Sequence, residues 1–254
     1  MLGAILGDVA GSPFEFDNYT QEDFELLSRF SFFTDDTVLT MATAHAILTD
    51  GDYGKAYHEY GNRYRDCSYG AMFRDWLGSR NPKPYWSLGN GAAMRVAPVG
   101  FAFSTLEETL AQAEASASPT HNHPEGIASA RAIAEAIFLL RTGNIQQKEV
   151  AGHLTRKYGY RIDLDLNRAR ENNRYSETAI ACVPVAVTAF ANSVSLEDCI
   201  RKAVSLGGDS DTIAAIAGGL AEACFGIPDE LQQRLLTYLP DEFLSLIEAF
   251  YSRK

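Results

Sequence analysis

Two short stretches gather the residue types that bind hard metal ions. Thr34-Asp35-Asp36 and Asp209-Ser210-Asp211-Thr212 each carry two carboxylates and a threonine hydroxyl. All-oxygen ligands of this kind select Mg²⁺ or Mn²⁺. If the two stretches meet, four Asp side chains repel one another, and some must bind protons unless cations neutralise them. Two divalent cations would cancel that charge. The same residues also read as helix N-caps, because Thr and Asp satisfy free N–H groups and carboxylates suit the helix dipole. Gly207-Gly208, just ahead of Asp209, implies a tight turn that throws the following side chains outward.

Other motifs carry less chemistry. His121-Asn122-His123 is bracketed by Pro119 and Pro124, so it reads as a loop entering a helix; no HExxH supports a zinc site. Gly89-Asn90-Gly91 reads either as a turn or as a loop offering backbone N–H groups to a phosphate, with its glycines expected at positive φ. Gly7-Asp8-Val9-Ala10-Gly11-Ser12 lacks the lysine of a P-loop. No serine or cysteine sits in a nucleophile motif, which disfavours a covalent triad.

The elements that must position these residues are mostly helical. An apolar stripe (Val38, Met41, Ala42, His45, Leu48) follows Thr34-Asp35-Asp36 and stops before Gly51. Pro124 should open a second helix through Ile127, Ala130, Ala134, Ile137 and Phe138, ending near Gly143. Ser195 with Asp198 resembles a capping box, and Asp211-Thr212 opens a helix closed by Gly226-Ile227-Pro228. Pro184 interrupts the apolar stretch Ala179 to Ala191, so a helix is expected to start near Val183. Only Arg161 to Leu166 alternates like a strand, and one strand builds no sheet. The expected fold is all-α, a single-domain helical bundle spanning residues 1–254, with no linker to divide it.

Composition excludes several classes. The 254 residues carry 33 acidic and 22 basic side chains, a formal charge of −11 that would repel free nucleic acid and anionic membranes. No run of about 18 apolar residues could span a bilayer. The opening residues lack a basic n-region and meet Asp8 too early for a signal peptide. Four scattered cysteines without a CxxC pair suit a reducing compartment, so a cytoplasmic location is expected.

Five stretches together resemble the ADP-ribosylglycohydrolase family, which includes dinitrogenase reductase-activating glycohydrolase. They are GAILGDVAGSPFEF, FTDDTVLTMATAHAIL, SLGNGAAMRVAPVGF, SPTHNHPEGI and AVSLGGDSDTIAAIAGGLAEACFGIP, running from about residue 3 to Pro228. The resemblance implies an all-helical fold with two Mg²⁺ or Mn²⁺ ions, whose ligands would be Thr34, Asp35, Asp36, Asp209, Asp211 and Thr212. It also implies that Glu15 lies near the metals, gating the site or ligating an ion. Ser87, Asn90, Gly91 and Met94 would cradle ADP-ribose, with further contacts from Gly70 and His121; His123 matches less closely. The segment between Glu15 and Phe33 is shorter than in many relatives, which bears on the lid over the metals.

The implied activity is metal-dependent hydrolysis releasing ADP-ribose from a modified target, with arginine-linked ADP-ribose on protein as the leading substrate. Catalytic candidates are Glu15, Asp35, Asp36, Asp209 and Asp211, with no one of them singled out as general base. Hydrolysis of serine-linked or small-molecule conjugates, or non-catalytic binding of ADP-ribose, remains the alternative.

Overall fold

The computed structural model describes residues 1–253. Its helices run α1 (Leu2–Gly11), α2 (Asp35–Leu48), α3 (Tyr53–Arg63), α4 (Ala71–Gly78), α5 (Gly91–Met94), α6 (Ala97–Ala102), α7 (Leu106–Ala117) and α8 (Pro124–Arg141). The second half adds α9 (Gln147–Tyr158), α10 (Leu166–Asn172), α11 (Ala179–Ala191), α12 (Leu196–Ser205), α13 (Ser210–Phe225), α14 (Asp229–Leu236) and α15 (Asp241–Tyr251). No sheet forms among the described residues; a lone antiparallel bridge joins Gly89 to Thr178. The fold is all-α, and none of these helices is long and apolar enough to cross a membrane.

The core is organised around α13, which is buried continuously from Ser210 to Glu222 and packs against α1, α8, α11 and α12. Its small residues permit this. A Cβ added to Gly3 would sit 2.2 Å from the Gly218 carbonyl oxygen, and one on Gly7 would sit 2.1 Å from that of Ala214. The backbones of α1 and α13 therefore meet with no side chain between them. The glycine-rich start of the chain is thus a packing helix.

Local signals place the helix starts well. Thr34 caps α2, its hydroxyl accepting from the Asp36 N–H at 3.3 Å. Pro124 occupies the first turn of α8, behind a cap made by His123, whose Nδ1 accepts from the Glu125 N–H at 3.1 Å. Ser195 accepts from the Asp198 N–H, while the Asp198 carboxylate reaches back to the Val194 N–H. Pro184 requires a correction: α11 begins at Ala179, not near Val183. Tertiary pairing sets that start, because Ala179 N–H donates to the Leu88 carbonyl at 3.1 Å beside the Gly89–Thr178 bridge. The carbonyl that proline leaves without a donor belongs to Ile180, which is 57% exposed, so water can serve it.

Candidate metal centre and adjoining cleft

Four parts of the fold deliver carboxylates to one place. The start of α2 presents Asp35 and Asp36, the start of α13 presents Asp209 and Asp211, α1 contributes Asp8, and Glu15 follows the turn after α1. Gly207 and Gly208 hold φ of +69° and +76°, the tight turn that aims Asp209 and Asp211 inward. Asn18 pins this turn from the segment after Glu15, its Oδ1 accepting from the Gly208 N–H at 3.2 Å. Aromatic packing of Phe14 with Tyr19 and Phe24, at 4.7 and 4.9 Å between ring centroids, anchors that short segment.

Carboxylate oxygens of Asp8, Asp36 and Asp211 lie within 4.8 Å of one another, and so do those of Glu15, Asp209 and Asp211. Asp211 belongs to both groups. Asp36 Oδ1 is buried with no hydrogen-bond partner among the described residues, while its Oδ2 accepts from the Thr212 hydroxyl at 3.2 Å. No lysine or arginine pairs with these carboxylates among the described residues. The electrostatics follow. Burial, then the charges of Asp36 and Asp209, push Asp211 well above the usual range. Burial and Asp8 do the same to Asp36 and raise Asp35 to about 7. Burial, then Asp209, raises Glu15 to about 7. Asp209 is raised by burial despite accepting from Asn90 Nδ2 at 2.6 Å. An all-oxygen, uncompensated cluster with an unpartnered buried oxygen fits divalent cations, which would supply the missing positive charge.

Asp8 stands in no ligand motif of the sequence, yet it is fully buried and accepts three hydrogen bonds. Thr34 N–H and Oγ1 donate at 2.9 and 2.7 Å, and Thr37 N–H donates at 3.0 Å. These bonds fasten α1 to the first turn of α2. A lone acid inside the apolar run of α1 was the available signal. Thr34 is consequently engaged with Asp8 and Asp36 beneath the cleft surface.

All of these carboxylates but Asp8 lie on one wall of a cleft of about 290 Å³. Glu15, Asp35, Asp36, Asp209, Asp211 and Thr212 line it together with Gly70, Ser87, Asn90, Gly91, Met94 and His121. Apart from Thr34, every site residue expected from sequence therefore lies on this one cleft. Tyr85, Arg95, Tyr175 and Glu177 also line it and carried no local motif to reveal them. Asn90 bridges the two halves, since its side chain holds Asp209 and its N–H donates to the Glu177 carbonyl at 2.8 Å. The expected positive φ at Gly89 and Gly91 is corrected: neither is among the positive-φ glycines of the described residues. The constraint at Gly91 is steric instead, because an added Cβ there would lie 2.9 Å from His121 Nε2.

Comparisons with known proteins agree with this geometry. The chain is 26% identical to ADP-ribosylhydrolase ARH3 of Homo sapiens, across 96% of this chain and 90% of that protein. It is 24% identical to ADP-ribosylarginine hydrolase Tri1 of Serratia proteamaculans (strain 568), across 89% and 70%. A solved structure described as an ADP-ribosylglycohydrolase-related protein complex superposes with a TM-score of 0.74 at 26% identity, covering 98% of this chain and 94% of that one. The family model for ADP-ribosylglycohydrolase matches residues 1–254, and the chain belongs to that family.

Proposed function

We propose that this protein hydrolyses the bond between ADP-ribose and a modified target, arginine-linked ADP-ribose on protein being the substrate. The observation that carries the reading is the pair of carboxylate groups sharing Asp211 beside a cleft that the Ser87–Met94 loop also lines. Thr34, Asp35, Asp36, Asp209, Asp211 and Thr212 form the proposed ligand set for two Mg²⁺ or Mn²⁺ ions. Asp8 supports that set through Thr34. When bound, such ions polarise sugar hydroxyls and acidify water.

Gly70, Ser87, Asn90, Gly91, Met94 and His121 hold the ADP-ribosyl group. A water oxygen bonds to the anomeric carbon as the bond to the guanidino nitrogen breaks, through an oxocarbenium-like centre. The water's proton passes to one of the carboxylates lining the cleft: Glu15, Asp35, Asp36, Asp209 or Asp211. The departing nitrogen, which keeps the electron pair of the broken bond, then takes up that proton from the carboxylate. Arginine is favoured by an adjoining pocket that shares Glu15, Tyr175 and Glu177 with the cleft and adds the exposed ring of Phe16. Carboxylates and aromatic faces suit a guanidinium group. The four free cysteines fit a cytoplasmic location.

A panel of peptides carrying ADP-ribose on arginine or on serine tests the reading. ADP-ribose should be released from the arginine peptide with Mg²⁺ present, and Asp211→Asn should abolish release while leaving helical circular dichroism intact. Release from serine alone would overturn the arginine assignment. Binding of ADP-ribose with no release from any conjugate would overturn the hydrolase.

A further inference from the structure

Arg95 is fully buried, although nothing of opposite charge pairs with it among the described residues. Its guanidinium carbon lies 3.9 Å from the centroid of the Tyr57 ring. Nη2 donates to the Ser116 carbonyl at 3.2 Å and to Thr120 Oγ1 at 2.8 Å, whereas Nε and Nη1 have no partner. A buried, unpaired cation is costly to hold. Its consequence is felt next door, where Thr120 Oγ1 stands 2.8 Å from His121 Nδ1.

Thr120 has one hydroxyl hydrogen, and Arg95 occupies a lone pair of its oxygen. The adjacent positive charge makes that hydrogen a better donor and favours an imidazole lone pair facing it. Of the two groups facing that hydrogen, Nδ1 of His121 and the Tyr85 hydroxyl, the imidazole nitrogen is the stronger acceptor. Burial and then the Arg95 charge hold His121 well below its ordinary pKa, which favours the neutral ring; with Nδ1 accepting from Thr120, its single proton would reside on Nε2. Nε2 makes no hydrogen bond to any described residue, and it faces Gly91 and Gly89, whose added Cβ atoms would lie 2.9 and 3.4 Å away. His121 and Arg95 both line the cleft.

We propose that Arg95, acting through Thr120, is a positioning residue that fixes His121 as the Nε2–H tautomer and so presents a neutral donor to an anionic ligand oxygen held against the Gly89–Gly91 loop. This rests on the ADP-ribose reading above, in which the diphosphate supplies that oxygen.

The tautomer is read on ligand-free protein by long-range ¹H–¹⁵N correlation of the His121 ring, and affinity by calorimetric titration of ADP-ribose. The native protein and Thr120→Ser should both show protonated Nε2, with affinities within about twofold. Thr120→Val should lose the pure Nε2–H signature and bind ADP-ribose about tenfold more weakly, a change of about 1.4 kcal/mol. Arg95→Lys, which keeps charge but not the fork, should give an intermediate tautomer shift. A native His121 protonated on Nδ1, or a Thr120→Val protein with unchanged tautomer and affinity, would overturn the relay. A native protein with the stated tautomer that binds no ADP-ribose would overturn the proposed function, and with it the ligand assigned to His121.

Discussion

Gly91 illustrates how one residue can join two parts of the cleft. An added Cβ would lie 2.9 Å from Nε2 of the His121 ring, so any side chain here forces that ring to shift. Gly91→Val should displace that ring and weaken ADP-ribose binding about tenfold or more. Metal content should be unchanged, because the carboxylates come from α1, α2, α13 and the turn carrying Glu15. Calorimetry beside elemental analysis of the same sample checks both halves; unaltered affinity would remove this loop from the binding site. Residue types and spacing made the two acidic motifs legible in the sequence, since Thr-Asp-Asp and Asp-Ser-Asp-Thr are dense in ligand atoms. Asp8 was hidden because its partners, Thr34 and Thr37, lie on another helix. Gly91 was legible as special but for the wrong reason: His121 lies far along the chain, and no local rule reports a collision with it.

At the scale of elements, the meeting of α1 with α13 decides where Asp8 stands relative to Asp211. Gly7→Leu would drive a Cβ to 2.1 Å from the Ala214 carbonyl oxygen, and overpacking of this kind costs about 1–3 kcal/mol. Urea unfolding should show that loss, whereas Gly78→Ala, with nothing within 4 Å of the added atom, should leave stability equal or slightly higher. A second tie joins α8 to α9. Burial alone would raise Glu135, but hydrogen bonds from Lys157, Tyr158 and His153 prevail and hold it below its ordinary value of 4.5. Because the folded pKa is depressed, this tie is fully present above about pH 4.5 and is lost as pH falls below it. Glu135→Gln should cost about 2 kcal/mol at pH 7 and flatten the acid limb of the stability profile; an unchanged limb in pH-resolved melts would refute the tie. Caps and stops made most helix starts readable, as at Thr34 and Ser195. The early start of α11 was not, because a bridge to Gly89 outweighs Pro184.

Across the whole molecule, charge is distributed so that a bound cation would stabilise the fold. The net charge is −11, and six carboxylates converge where four chain segments meet, without a compensating base among the described residues. Unfolding separates them, so the unfolded chain has little affinity for a divalent ion, and binding to the folded form adds directly to stability. At a free concentration of 100 Kd that addition is about 2.7 kcal/mol. The melting temperature should fall on chelation and recover with Mg²⁺ or Mn²⁺ more fully than with Zn²⁺, which prefers nitrogen and sulfur ligands. Asp36→Asn sharpens the test. It removes a like charge whose Oδ1 has no partner, so the chelated variant should melt no lower than chelated native protein, and added Mg²⁺ should raise its melting temperature far less. A metal response as large in Asp36→Asn as in the native protein would place the stabilising ion elsewhere. Identical melts with and without chelator would show that the converging carboxylates hold protons in place of metal.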